Sequence, residues 1–166
     1  LGAYMAAEVT ARGKPGAGIN AIYDAFTPAR AYQHYHGGVR ILSETASARL
    51  ASPIDVPAER VRGGREYDAA TASWKFPLPW RGGTWRIGDI VDYMEAGALA
   101  LLSNAARNRT FWVENFYNVN RRAVEGWEAW PAAWGIPADQ ENQIGLSHVL
   151  RILIMADLEV HRATAP

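Results

Sequence analysis

Apolar residues recur at the spacing of an α-helix in several parts of the chain. The first such stretch covers residues 1–12 and ends where Gly13 and Pro15 would stop a helix. The clearest stretch covers residues 87–106, with acidic residues in its first turns and arginines at its end, as the helix dipole favours. The same spacing predicts two further helices, over residues 110–124 and 142–155.

Short apolar runs bounded by glycine or other turn residues predict strands. Two such runs cover residues 18–24 and 38–44, and the side chains of the second alternate between two faces. Two more runs, over residues 134–138 and 158–162, flank the last predicted helix. A strand, a helix and a second strand in this order are typical of a parallel sheet. The pattern therefore predicts an α/β protein.

Residues 52–85 interrupt the regular pattern with prolines and paired glycines. Irregular stretches of this length are usually insertions or functional loops, so we expect a surface excursion with a short central helix. Residues 1–127 hold 15 basic and 12 acidic residues, a net charge of +3, whereas residues 128–166 hold 2 and 5, a net charge of −3. This change of sign predicts one domain over residues 1–127 and a second, truncated α/β domain over residues 128–166.

The composition limits the classes of function that are open to the chain. Hydrophobic residues make up 49% and charged residues 20%, which argues for a folded protein. The zero net charge argues against a nucleic-acid-binding protein. The absence of cysteine excludes disulfides and cysteine-ligated metal sites. No apolar run approaches the roughly 20 residues of a membrane span. The chain begins at Leu1 without an initiator methionine, and we expect it to be cut from a longer protein.

The histidines do not form a recognised catalytic or metal motif on their own. His34 and His36 would lie on one face of an extended segment, as in some metal sites, or would pack against Tyr32 and Tyr35 in a loop. The sequence contains no His-Glu-x-x-His pair and no Gly-x-Ser-x-Gly elbow. No site can therefore be assigned from the histidines alone.

Glu44 is the carboxylate that the sequence singles out, because it ends the apolar run 38–44. A carboxylate in such a place is costly unless it is paired or takes part in chemistry. It could form an ion pair with Arg40 or Arg49, or it could act as a catalytic base. The residues themselves leave both alternatives open.

The stretch from residue 18 to residue 50, GINAIYDAFTPARAYQHYHGGVRILSETASARL, resembles a known enzyme family. It is similar to the C-terminal part of a zinc metallocarboxypeptidase domain of the carboxypeptidase A type. In that family an Ile-Tyr pair precedes, by about 22 residues, a strand that ends in the catalytic glutamate. Here Tyr23 lies 21 residues before Glu44. The resemblance covers roughly residues 1–125 and implies part of a mixed-sheet α/β/α domain, followed by a partial β-α-β unit.

The resemblance also implies a chemistry, the hydrolysis of C-terminal peptide bonds with zinc as cofactor. Glu44 would be the general base and acid, and Tyr23 would close over the C-terminal carboxylate of a peptide or protein substrate. Arg30 would lie in the pocket for the C-terminal side chain and would favour an acidic one. The zinc ligands of the family would lie upstream of residue 1, so we expect this chain alone to be inactive. The family also implies a secreted or periplasmic location.

Three tryptophans of the excursion, Trp74, Trp80 and Trp85, support an alternative function. If they were exposed together, they would form a stacking surface, and the chain would be a non-catalytic binding module. Tryptophans in such loops also commonly pin the loop onto the domain. The binding module further requires Glu44 to be tied to Arg40 or Arg49, which separates it from the enzyme hypothesis.

Overall fold

The computed structural model describes residues 1–19, 32–34, 36–64, 67–126, 131 and 133–164. The chain divides into two compact units, Leu1–Gly126 and Trp127–Pro166. Helices and a small two-stranded sheet occur together in it, so the structure mixes α and β elements. The elements in chain order are α1 (Gly2–Ala11), β1 (Ile54–Val56), β2 (Gly83–Trp85), α2 (Ile87–Arg107), α3 (Arg109–Glu125) and α4 (Gln143–Met155).

The helices predicted from apolar spacing are confirmed to within about two residues at each end. Local hydrogen bonds fix two of their starts. The carboxylate of Asp89 accepts a hydrogen bond from the backbone N–H of Arg86 at 2.7 Å, at the first turn of α2. The side-chain oxygen of Asn142 accepts one from the N–H of Gly145 at 2.7 Å and so caps α4. These contacts involve near neighbours in sequence, which is why the helices could be predicted.

The core of the first unit lies where α1 packs on α2. Ala96 and Ala100 of α2 are almost completely buried, and Met5 and Val9 of α1 are buried with them. Gly97 belongs to the same face of α2, because a Cβ added there would lie 3.7 Å from the Cε of Met5. Small side chains on one helix let the larger side chains of the other approach closely.

Asn104 is a buried polar residue that links α2 to α3. Its Oδ1 accepts a hydrogen bond from the indole N–H of Trp112 at 3.0 Å. Its backbone carbonyl accepts two more, from the backbone N–H of Asn108 at 3.0 Å and from the Asn108 Nδ2 at 3.1 Å. These hydrogen bonds satisfy the polar groups at a buried position. They also hold the turn between the two helices in place.

The strands predicted over residues 38–44, 134–138 and 158–162 are wrong, because none of these residues is part of a sheet. Within the described part of 18–24, Gly18 and Ile19 are not in a strand either, and residues 20–24 lie outside the described residues. A strand requires a neighbour that satisfies its backbone groups. Among the described residues, β1 and β2 are the only strands, and they pair with each other. The alternation of apolar residues thus indicated which segments were suited to a strand, but it did not identify a neighbouring strand to pair with.

The excursion over residues 52–85 is more ordered than the sequence predicts. Its ends meet in an antiparallel pair in which Ile54 of β1 lies opposite Trp85 of β2. Phe76 is buried inside it and stacks on the ring of Tyr67, with 4.6 Å between the ring centroids. The expected central helix is absent from its described residues, and a short 3-10 turn occurs near its start instead, at Ala58–Arg60. The excursion therefore has its own packing within the first unit.

The second unit, Trp127–Pro166, contains α4 and no strand among its described residues. Of the predicted strand, helix and strand, only the helix is present among the described residues of this unit. Most apolar side chains of α4 are exposed to solvent, including Ile144, Val149, Ile152, Ile154 and Met155. None of the helices in the described part of the chain has the length and apolarity needed to cross a membrane.

Candidate functional site

Segment 38–44, which carries Glu44, begins at a tight turn. The N–H of Gly38 donates a hydrogen bond to the carbonyl of Gln33 at 2.7 Å. Gly37 adopts a φ of 72°, a conformation that side chains disfavour, and a Cβ at this position would overlap the side-chain amide of Asn120. The two glycines therefore let the chain turn close against α3.

Glu44 lies exposed at the end of this segment. The ion pairs among the described residues do not include one between Glu44 and either Arg40 or Arg49. The structural ion pair that the sequence allowed is therefore not formed. The carboxylate is instead accessible to water, as a proton acceptor must be.

The two other residues that the resemblance assigns to substrate binding are not among those described. Tyr23 and Arg30 both fall within residues 20–31, which lie outside the described residues. The roles predicted for them stay predictions. Glu44 is thus the one residue of the predicted set whose surroundings the structure describes.

An apolar cavity of about 300 Å³ lies between segment 38–44 and the helices α2 and α3. Among the described residues that line it, no side chain is charged, and Asn115 contributes a polar amide. Sequence reasoning missed this cavity, because residues far apart in the chain form its walls. The walls are formed chiefly by Val39, Ile41, Leu101, Ala105, Trp112 and Phe116.

The histidines of the predicted loop do not build a metal site with other described residues. The ring centroids of His36 and Tyr32 lie 4.3 Å apart. His36 therefore packs against a tyrosine of the loop, which is the alternative to metal binding. Among the described residues, no group of three or more histidine, aspartate or glutamate side chains could hold a metal ion. These residues therefore do not fit a complete zinc site.

The tryptophans of the excursion do not form one exposed surface. Trp85 is half-buried, and its ring meets the edges of Trp80 and Tyr93 at centroid distances of 6.0 and 5.3 Å. Its indole N–H donates a hydrogen bond to the carbonyl of Ala46 at 3.0 Å, which attaches the excursion to the chain just after Glu44. Trp74 differs, since 73% of it is exposed. Trp80 and Trp85 thus pack in the first unit.

Tyr93 anchors the chain that follows α1 onto α2. Its hydroxyl donates a hydrogen bond to the carbonyl of Pro15 at 2.7 Å. The ammonium of Lys14 lies 4.9 Å from the centre of the ring and 3.5 Å from the carboxylate of Asp92. Burial raises the pKa of Tyr93, and the charge of Asp89 raises it further. The neutral hydroxyl is therefore the form that the fold favours.

We expect this tyrosine to make stability fall at alkaline pH. The pKa of this tyrosine is higher in the folded protein than in the unfolded chain. Its contribution to the free energy of unfolding is therefore fully present below pH 10.0, the ordinary tyrosine pKa, and is lost as pH rises through the raised folded-state value. Tyr93→Phe should lower the free energy of unfolding by about 0.5–1.5 kcal/mol at neutral pH and flatten its decline above pH 10. Urea unfolding at several pH values measures both effects. Tyr117→Phe is the control, because Tyr117 is largely exposed, and an equally flattened profile there would contradict the prediction.

No protein-family model, no curated protein and no solved structure matches this chain. A functional assignment therefore has to rest on its own residues and their surroundings. Of the features above, Glu44 and the apolar cavity are the two that offer a chemistry or a binding surface.

Proposed function

We propose that this chain contributes the proton-transfer residue of a zinc-dependent carboxypeptidase, which hydrolyses the C-terminal peptide bond of peptides or proteins. The proposal is supported by the resemblance of residues 18–50 and by one structural observation. Glu44 ends segment 38–44 as an exposed carboxylate that is not paired with Arg40 or Arg49. A carboxylate in that state is accessible to both water and a substrate, which general base catalysis requires.

In this reaction Glu44 accepts a proton from the attacking water and delivers it to the nitrogen of the leaving amine. The water oxygen forms a bond to the carbonyl carbon, and the C–N bond breaks. Tyr23 and Arg30 bind the C-terminal carboxylate and side chain of the substrate in the same proposal. Zinc, held by ligands that the proposal places upstream of Leu1, would lower the pKa of water and polarise the carbonyl. The first unit is then the C-terminal part of an α/β/α peptidase domain.

The proposal requires a longer chain that supplies the zinc ligands upstream of Leu1, and the test compares that longer chain with residues 1–166 alone. We expect the longer chain to release the C-terminal residue from an N-blocked dipeptide with a free carboxylate, and to leave the matching C-terminal amide intact. The 166-residue chain alone should release nothing. The proposal is overturned if the longer chain has no His-x-x-Glu followed by another histidine upstream of Leu1, or if it releases no C-terminal residue in the presence of zinc.

The alternative of a non-catalytic binding module has less support in the structure. It requires three tryptophans on one exposed surface, and of these Trp74 is exposed whereas Trp80 and Trp85 are half-buried. It also requires Glu44 to be tied to Arg40 or Arg49. Neither arrangement is present among the described residues, so the carboxypeptidase is the function that we retain.

A further inference from the structure

The chain on both sides of Glu44 is attached to the rest of the first unit. Ile41, three residues before it, lines the apolar cavity and lies beside α1, since a Cβ added at Gly2 would be 3.9 Å from its Cδ1. Ala46, two residues after Glu44, accepts a hydrogen bond from the indole N–H of Trp85 at 3.0 Å. Glu44 is therefore an exposed carboxylate on a short stretch of backbone that is held on both sides.

Trp85 contacts the chain after Glu44 at two points. Its side chain reaches Ala46, and its backbone lies opposite Ile54 in the antiparallel pair of β1 and β2. One residue therefore closes the loop over residues 46–54 at both of its ends. Closing a loop removes conformations that its residues would otherwise adopt. The hydrogen bond to Ala46 is the closing contact that lies nearer to Glu44 in the chain.

The indole of Trp85 is itself held by neighbours other than Ala46. Its ring packs edge to face on the rings of Trp80 and Tyr93. Tyr93 belongs to α2, and its hydroxyl is hydrogen-bonded to the carbonyl of Pro15. The indole is therefore oriented by packing against a long helix. A side chain that its own neighbours hold in this way is suited to keeping another residue in place.

From these contacts we propose that Trp85 is a positioning residue for Glu44. The inference rests on the proposed peptidase function, to which it adds a residue that does not touch the substrate. A general base must lie within hydrogen-bond reach, about 2.6–3.2 Å, of the proton that it accepts. The hydrogen bond from Trp85 to Ala46 limits movement of the backbone that carries the carboxylate, and so keeps Glu44 within that reach. A displacement of about 1 Å can slow catalysis about 100-fold.

Trp85→Phe tests the proposal, because phenylalanine retains an aromatic ring suited to a strand and removes the indole N–H. In the longer, zinc-loaded chain that the proposed function requires, we expect kcat on the N-blocked dipeptide to fall at least about fivefold, with KM unchanged within about twofold. In the Glu44→Gln background the same substitution should have no further effect, because it acts through the carboxylate. Trp74→Phe, at an exposed tryptophan of the same excursion, is the matched control and should leave kcat unchanged.

A second measurement detects the attachment of the chain without using activity. In residues 1–166, NMR order parameters of the backbone amides at residues 45–47 should fall below about 0.6 in Trp85→Phe, the range of a flexible backbone. The order parameters of α2 should stay near about 0.85 in the same variant. Trp74→Phe should change neither set. Equal order parameters at residues 45–47 with and without the indole N–H would overturn the proposal.

The kinetic outcomes separate this inference from the proposed function. If the unaltered longer chain is active and Trp85→Phe keeps its kcat, Trp85 is not a positioning residue and the peptidase stands. The same conclusion follows if Trp85→Phe slows the Glu44→Gln variant as strongly as it slows the unaltered chain. If the unaltered longer chain releases no C-terminal residue, the peptidase is refuted, and the role of Trp85 is refuted with it.

Discussion

In the longer, zinc-loaded chain that the proposal requires, replacing Glu44 by glutamine is expected to lower kcat/KM for C-terminal residue release at least about 100-fold. Glutamine has nearly the same size as glutamate, but its neutral amide does not accept a proton from water. Because Glu44 is exposed and forms no ion pair with Arg40 or Arg49, the change should leave the fold intact. The free energy of unfolding should stay within about 0.5 kcal/mol of the unaltered protein. Initial rates on an N-blocked dipeptide measure the effect.

Glu59→Gln is the matched control for this experiment. Glu59 is also exposed, in the 3-10 turn Ala58–Arg60, and the proposal gives it no role. We expect its kcat/KM to be unchanged. The zinc content of both variants should equal that of the unaltered protein, since neither residue is a proposed ligand. Normal turnover of Glu44→Gln at full zinc content would remove Glu44 from the reaction.

The helices could be predicted from sequence because their determinants lie within a few residues of each other. Capping by Asn142 and the Asp89 contact to Arg86 join residues three apart in the chain. The apolar spacing of α2 indicated that it would pack against something. The apolar stripe that includes Met94 and Leu102 predicted that this face would be covered. The structure instead covers the face of Ala96 and Ala100, and Met94 and Leu102 stay exposed. The partner, α1, is distant in sequence.

The strands could not be predicted in the same way, because pairing joins distant residues. β1 and β2 are separated by most of the excursion, and nothing in the local sequence of either identifies the other. The reverse error occurred at segment 38–44, where a good alternating pattern meets no neighbouring strand among the described residues. A pattern of side chains specifies which face of a strand is apolar, but hydrogen bonds to another strand are required to form a sheet.

The candidate site shows the same division between local and distant determinants. The sequence singled out Glu44 because it ends the apolar run 38–44, and in the structure this carboxylate is exposed. The cavity beside that run could not be foreseen, because α2 and α3 complete it. The contact of Trp85 with Ala46, which fixes the chain after Glu44, joins residues 39 positions apart. The position of Glu44 in an apolar run could therefore be read from the local sequence, whereas its surroundings in the fold could not.

Replacing Phe76 by alanine is expected to lower the free energy of unfolding of the first unit by about 3–5 kcal/mol. Its side chain is only 3% exposed and stacks on Tyr67 at an interplanar angle of 25°. A Cβ added at Gly18 would lie 3.5 Å from its ring, so the chain after α1 also packs on it. Removing the ring would leave a cavity among contacts that come from separate parts of the sequence. Urea unfolding followed by circular dichroism measures the loss.

Trp74→Ala is the matched control, because Trp74 lies two residues away in the same excursion and is 73% exposed. Its substitution should change the free energy of unfolding by no more than about 0.5 kcal/mol. Equal effects of the two substitutions would contradict a packed excursion. The amide of Ile19 distinguishes local from global loss, since it donates a hydrogen bond to the carbonyl of Lys75 at 2.9 Å. If Phe76→Ala accelerates hydrogen exchange at Ile19 and leaves the exchange of α2 unchanged, the excursion unfolds separately, and the expected loss of global stability is refuted.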